Sequence, residues 1–147
     1  MEERFELFTL LIAKANRLVY KIKTEEMVEF NLKSSHVSCL YYLYKAKELT
    51  AKAICDACGE DKANISRAIK YLEINGFLEC ESTAKKRYQS ALTLTEKGVI
   101  TASKIAQKID AVLKKASEGL TEENRVIFYK SLSLICSNLE DVCNNYR

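Results

Sequence analysis

Residues 50–81 read TAKAICDACGEDKANISRAIKYLEINGFLECE, and this stretch contains the pattern that decides the fold. Thr50 is a favourable N-cap for a short helix that ends before Gly59. Asp61 is a second N-cap, for a longer helix that ends before Gly76. Two short helices joined by a glycine-containing turn are typical of a helix-turn-helix.

The second of these helices has two chemically different faces. On a helical wheel its apolar residues lie on one side, and small, hydroxyl-bearing and basic residues lie on the other. The apolar set is Ile65, Ala68, Ile69 and Leu72, and the opposite set is Ala63, Ser66, Arg67 and Lys70, flanked by Lys62 and Asn64. In a major groove, arginine can contact guanine with two hydrogen bonds and alanine can pack against a thymine methyl. Taken alone, the helix also fits an ordinary solvated amphipathic helix.

After Gly76 the hydrophobic period changes to two, which predicts a β-hairpin, here called the wing. Its tip, within 82–90, carries Lys85, Lys86 and Arg87 and no acidic residue. From Lys62 to Ser90 there are six basic and three acidic residues, and the resulting net charge of +3 equals that of the whole chain. Because neutralised phosphates release counterions, such a local basic surface can support DNA binding despite the small overall charge.

Long amphipathic helices are predicted on both sides of this central region. Apolar residues from Phe5 to Ile22 recur at spacings of three and four, which predicts a first helix of about twenty residues. Its apolar stripe is wider than one neighbouring layer would cover, so we expect burial on more than one side, for example by a partner subunit. The expected N-caps of the remaining helices are Ser34 or Ser35, Thr95 and Thr121.

The composition limits the class of protein. The 147 residues, 48% of them hydrophobic, suffice for one domain with its own core. With no proline and four glycines the chain has too few turn formers for a β-sandwich, which predicts a mainly α fold. No apolar run approaches the ~20 residues of a membrane helix, and the N-terminal MEERFELF lacks the features of a secretory signal. We therefore expect a cytoplasmic protein without membrane association.

Six cysteines and one histidine are the candidates for metal, redox or catalytic chemistry. Cys55 and Cys58 have the C-x-x-C spacing of zinc ribbons and thiol oxidoreductases, but no second ligand pair accompanies them, which favours packing. Cys80, at the foot of the wing, and Cys39 are the candidates for a thiol switch. Since no phosphate loop, nucleophile elbow or acid-base set is present, we expect no enzyme activity, metal or cofactor.

The order of these elements resembles the MarR family of winged-helix regulators, over nearly the whole chain. The most specific matches are Asn64-Ile65-Ser66-Arg67, Leu72-Glu73, Gly76-Phe77-Leu78 and Leu94-Thr95-Glu96-Lys97-Gly98. One departure lies in the wing, where the family usually carries an Asp-Arg pair, often with proline. This chain has Lys86-Arg87 there, without an acid to orient the arginine.

The resemblance implies a mainly α fold with a small wing, in which a winged helix-turn-helix is flanked by dimerisation helices. It implies one domain over 1–147, with the DNA-binding part at about 34–94 and helical dimerisation parts at 1–30 and 95–147. A homodimer would then place its recognition helices in successive major grooves of a pseudo-palindromic operator, with the wings in the flanking minor groove. The residues expected at the DNA are Lys62, Ala63, Asn64, Ser66, Arg67, Lys70, Lys85, Lys86 and Arg87.

The resemblance also implies a repressor that a small phenolic or aromatic effector releases from double-stranded DNA. The family places part of its effector crevice near His36, and Tyr20 and Tyr41 are the rings expected beside it, although tyrosines at helical spacing are first of all core residues. Two alternatives stay open. The winged helix could contact a protein instead of DNA, or the chain could be a regulator that senses oxidation through its thiols.

Overall fold

The computed structural model describes residues 2–81 and 89–146, and within them it contains six α-helices and three short strands. In chain order these are α1 (Glu2–Glu26), α2 (Ser34–Ala46), β1 (Glu48–Thr50), α3 (Ala51–Cys58), α4 (Lys62–Ile74), β2 (Leu78–Cys80), β3 (Ala91–Leu94), α5 (Glu96–Ala116) and α6 (Glu122–Asn144). A 3-10 helix, Val28–Phe30, lies between α1 and α2. The mainly α fold class with a small β-sheet is confirmed. The chain forms two compact units, Met1–Lys108 and Ile109–Arg147.

Four predicted N-caps are confirmed by hydrogen bonds from the backbone of the first helical turn. The side-chain oxygens of Thr50, Asp61, Thr95 and Thr121 accept N–H groups three residues ahead, at 3.1, 2.8, 3.0 and 3.2 Å. The prediction for α2 was wrong, because Ser34 is already the first helical residue and Lys33 holds the N-cap position. There the backbone N–H of Lys33 donates to Nδ1 of His36 at 3.1 Å, so the histidine takes the part that Glu or Gln takes in a capping box.

The sheet of the first unit has three antiparallel strands in the order β1-β3-β2. Strands β2 and β3 are those of the predicted wing, and Leu78 pairs with Leu94 in their register. The third strand, β1, was not predicted; it pairs Leu49 with Leu92. A strand of three residues is too short to show a period-two pattern in the sequence. It forms here because the backbone of β3 provides its hydrogen-bond partners.

The core of the first unit lies between α2, α3, α4 and the sheet. Helix α4 packs against α2, α3 and β2, and its whole predicted apolar face is buried. The largest fully buried side chains are Met27, Leu40, Leu43, Ile54, Ile65, Leu72, Leu78, Leu92 and Ile105. Burial of one face of α4 leaves its opposite face turned toward solvent.

Helices α1 and α6 leave wide apolar surfaces uncovered in the isolated chain. In α1, Leu7, Leu10, Leu11, Leu18, Val19 and Tyr20 are 44–63% exposed, and in α6 Val126, Ile127, Phe128, Leu134 and Leu139 are similarly exposed. The expectation that the first helix is buried on more than one side is therefore not met within one chain. No helix of the described residues combines the length and hydropathy needed to cross a bilayer.

The start of α5 is fixed against the end of α4 by a close backbone approach at Gly98. A Cβ atom at this position would lie 1.9 Å from the carbonyl oxygen of Phe77 and 3.3 Å from Cβ of Leu94. The same carbonyl accepts the N–H of Thr95 at 3.1 Å, and the Thr95 hydroxyl donates to the carbonyl of Gly76 at 2.6 Å. Only glycine fits here without moving these groups apart.

Replacement of Gly98 by alanine should lower the free energy of unfolding by about 3 kcal/mol, because the new methyl group overlaps a backbone oxygen that cannot move alone. The matched control is Gly59→Ala, where the added Cβ meets nothing within 4 Å and only the left-handed φ of +64° resists it, at a cost of about 1 kcal/mol. Urea unfolding at one fixed protein concentration measures both. Equal costs at the two sites would contradict the close approach at Gly98.

Candidate nucleic-acid interface

The outward face of α4 is the candidate reading surface, here defined as Lys62, Ala63, Asn64, Ser66, Arg67 and Lys70. Five of these six residues are exposed, and Asn64 is half-buried. Their orientation follows from the opposite face, where Ile65, Ala68 and Leu72 are almost completely buried. The structure confirms the placement that the helical wheel predicted. The basic side chains lie on the solvent side of α4, and the opposite side of the helix is buried.

Two of the cationic side chains on this surface, Arg67 and Lys70, have no acidic partner among the described residues. Within 2–81 and 89–146, neither Arg67 nor Lys70 forms an ion pair. The two acids near the start of α4 have other roles, since Asp61 caps the helix and Glu60 accepts a hydrogen bond from Nδ2 of Asn64 at 2.5 Å. The guanidinium of Arg67 thus keeps its N–H donors available for a planar acceptor such as guanine or a phosphate.

Asn64 differs from the other members of the reading surface. The side-chain amide of Asn64 donates a hydrogen bond to Glu60, so it can contact a base only if that hydrogen bond breaks. Asn64 also lines two surface cavities of the first unit. The sequence pattern did not separate Asn64 from its neighbours, because a wheel records direction and not side-chain partners.

The basic tip of the wing, with Lys85, Lys86 and Arg87, lies outside the described residues. The strands that carry it are described, and the last backbone hydrogen bond before the tip joins the N–H of Glu81 to the carbonyl of Ala91 at 3.0 Å. Since β2 pairs with β3 and follows α4 after a turn, the wing emerges from the same small sheet that α4 packs against.

A pair of stacked rings, which the sequence pattern did not predict, joins α2 to α4. The ring centroids of His36 and Tyr71 are 4.2 Å apart and their planes differ by 5°. His36 is 6% exposed. Both rings border a cavity of about 580 Å³ that Asn64 and Arg67 also line. No sequence signal points to this pair, because its members are 35 positions apart and meet only through the packing of two helices.

The three residues predicted for an effector crevice have different surroundings in the chain, and their shared role stays a prediction. His36 borders the cavity just described, whereas Tyr20 borders a second one of about 490 Å³ with Lys23 and Glu60. Tyr41 is not among the described residues that line these two cavities. Its ring packs edge-on against Tyr42. Lys33, Ser35 and Asn64 line both cavities.

Cys39 and Cys58 show surroundings typical of packing, whereas Cys136 and Cys143 are exposed on α6. Cys39 is fully buried, and burial raises the pKa of its thiol. Burial likewise raises the pKa of Cys58 to about 11, and its thiol donates to the carbonyl of Ile54. Both thiols are therefore protonated at neutral pH, which disfavours redox chemistry. Cys80 is half-buried at the foot of the wing, and its proposed switch role stays a prediction. In the described part of the chain no group of three or more His, Cys, Asp or Glu side chains could hold a metal ion.

Comparison with known proteins gives matches in sequence and in structure. Residues 30–87 match the family model described as MarR family. An uncharacterised HTH-type transcriptional regulator of Bacillus subtilis, YwoH, is 30% identical over 114 residues, which cover 78% of this chain and 80% of the relative. A second one from the same organism, YwaE, is 25% identical over 137 residues, or 93% of this chain and 80% of the relative.

Among solved structures, a MarR family regulator of Listeria monocytogenes in complex with a 26mer DNA superposes with a TM-score of 0.80. It is 25% identical, and the match covers 88% of this chain and 87% of that one. On these grounds the chain belongs to the MarR family of winged helix-turn-helix transcriptional regulators.

Proposed function

We propose that the protein is a repressor that binds a pseudo-palindromic operator in double-stranded DNA as a homodimer. The observation that carries this proposal is the exposed face of α4, where Arg67 and Lys70 stand on a rigidly packed helix with no described acid to neutralise them. Ala63 and Ser66 beside them are small enough to let the helix backbone approach base edges. The wing residues Lys85, Lys86 and Arg87 are proposed to contact phosphates and the flanking minor groove.

The proposed homodimer rests on the apolar surfaces of α1 and α6. Exposed patches of leucine, isoleucine and phenylalanine on two long helices are unusual for a monomer and suit a second copy of the same chain. A two-fold dimer presents two copies of α4, and recognition helices related in this way read half-sites about one helical turn apart. As part of the same proposal, the protein acts on this DNA in the cytoplasm.

The competing hypothesis is that the winged helix docks on a protein. The two differ in their response to salt. A DNA complex loses affinity steeply as salt rises, since each neutralised phosphate contributes a slope of roughly −0.9 in log affinity against log salt concentration. A wing that docks on protein needs no affinity for duplex DNA at all.

Selection of duplexes from a random pool by the purified chain should enrich an inverted repeat with half-sites about 10 base pairs apart. Binding to the selected duplex should weaken by at least about 100-fold between 50 and 200 mM salt, if about four or more phosphates are contacted. Enrichment of single, unrepeated sites would contradict the dimer. A pool with no enriched sequence, together with no duplex affinity at low salt, would overturn the proposed function.

Arg67→Ala should weaken binding to the selected operator by about 10- to 100-fold, because a bidentate contact to one base pair is worth about 1–3 kcal/mol. Arg87→Ala should weaken all duplexes alike and reduce the salt slope by about 2, because each of the two wings of the dimer loses a phosphate contact. Lys104→Ala is the matched control, since Lys104 is an equally exposed cation on α5, outside the reading surface, and should change affinity less than twofold. All three variants should melt within about 2 °C of the parent. Equal losses of affinity in all three would contradict the assigned roles.

We further propose an effector in the cavity beside Tyr20, where the Lys23 and Lys33 amines suit the negative charge of a phenolic acid. Titration calorimetry with small phenolic acids should give measurable heat, and saturating ligand should lower operator affinity by at least fivefold, the lower end of ordinary coupling between sites. Tyr20→Ala should remove the heat. Absence of both heat and an affinity change in the parent protein would exclude this class of effector.

A further inference from the structure

The stack of His36 on Tyr71 connects the start of α2 to the recognition helix. His36 is the third residue of α2, and Tyr71 lies on α4 one turn after Arg67. The rings are nearly parallel at 4.2 Å, so the imidazole covers one face of the phenol ring. Any rotation of the imidazole must therefore disturb a contact of the helix that carries the reading surface.

The hydrogen bond to Lys33 fixes the protonation state of this imidazole. Its Nδ1 accepts the backbone N–H of Lys33 at 3.1 Å, which requires a lone pair on Nδ1 and places the proton of the neutral ring on Nε2. A proton added to Nδ1 would face the N–H of Lys33, so two donors would oppose each other. The hydrogen bond would be lost, and the ring would have to turn away from its stacked position.

The charges around the ring also oppose its protonation. The cavity beside His36 is lined by Lys33 from the segment before α2 and by Arg67 and Tyr71 from α4, while α1 and the 3-10 helix contribute only the uncharged Thr24 and Val28. No carboxylate is among the described lining residues. Burial, and then the nearby Lys33 ammonium, lower the pKa of His36 below its usual value of about 6.5. Attraction between an imidazolium and the Tyr71 ring would offset only part of this opposition.

We propose that His36 is a positioning residue for the recognition helix, and that protonation of its imidazole releases the protein from DNA. The stack and the Lys33 hydrogen bond hold α4 in its binding orientation while the ring is neutral. When the ring gains a proton, the stack shifts, and Tyr71 carries the change to Arg67 one turn away. This inference rests on the proposed DNA-binding function and assigns it a dependence on pH.

The sign of the pH effect follows from the lowered pKa. A histidine whose pKa is lower in the folded state supports that state fully above pH ~6.5, and its support is lost as the pH falls through the folded-state value. Acidification otherwise makes a protein more cationic and strengthens its binding to phosphates. A loss of affinity in acid therefore runs against the general trend, and His36 is the only histidine in the chain.

The test compares operator binding at pH 7.5 and pH 5.5 at constant ionic strength, with the duplex selected at pH 7.5. The parent protein should lose at least tenfold in affinity at pH 5.5. His36→Gln is the matched variant, because glutamine at this capping position still accepts the Lys33 N–H but does not titrate. It loses the stack on Tyr71 and should therefore bind more weakly than the parent at pH 7.5, but its affinity should change less than threefold between the two pH values. Tyr71→Phe keeps the ring and should respond as the parent does, whereas Tyr71→Leu should lose most of the response.

A second measurement uses the parent protein without DNA and so does not depend on any variant folding. In nuclear magnetic resonance spectra recorded across pH 7.5 to 5, backbone amides of α4 near Tyr71 should shift with the midpoint of the His36 ring, which lies below 6.5. Static α4 amides during the His36 titration would overturn the inference, as would equal pH profiles of parent and His36→Gln. Absence of duplex binding at every pH would instead refute the proposed function, while the α4 shifts would still report on the stack.

Discussion

The burial of one face of α4 orients the residues of the reading surface. Ile65, Ala68, Ile69 and Leu72 are buried against α2, α3 and the sheet, and a helix anchored along one side can turn neither its charges inward nor its apolar residues outward. Arg67 and Lys70 thereby acquire fixed positions without a single described ion pair to hold them. The geometry of recognition is thus set by apolar packing, and the basic side chains only occupy the face that packing leaves free.

A second constraint joins this helix to the rest of the first unit. The backbone at Phe77 lies so close to Gly98 that no larger residue fits between the end of α4 and the start of α5. Lys97 reinforces the junction, because its ammonium donates to the carbonyl of Asn75 at 2.8 Å and lies 4.3 Å from the centre of the Phe77 ring. The His36 and Tyr71 stack makes a third attachment, at the middle of α4. Of the three attachments, only this stack contains a histidine.

Local chemistry explains why much of the fold was predictable from the sequence. The hydroxyl groups of Thr50 and Thr121 and the carboxylate of Asp61 each cap the helical turn that follows. Three or four consecutive residues are therefore enough to predict where each of these helices begins. The buried and exposed faces of α4 could also be predicted, because the helical period fixes which side chains lie on the same side of the helix. The failures were of another kind. Strand β1 depends on a partner forty residues away, and the cap of α2 depends on an imidazole that is not a usual capping group.

The sequence by itself determined the helix-turn-helix, the amphipathic recognition helix and the family, since these depend on neighbouring residues and on short motifs around Arg67 and Gly76. Only the tertiary structure decided which distant side chains meet. It placed His36 and Tyr20 beside different cavities, and it brought His36 onto Tyr71. It also showed that one chain leaves the apolar face of α1 uncovered. The physical reason is that periodicity specifies the direction of a side chain from its own helix axis, whereas contacts between helices depend on how their surfaces pack in three dimensions.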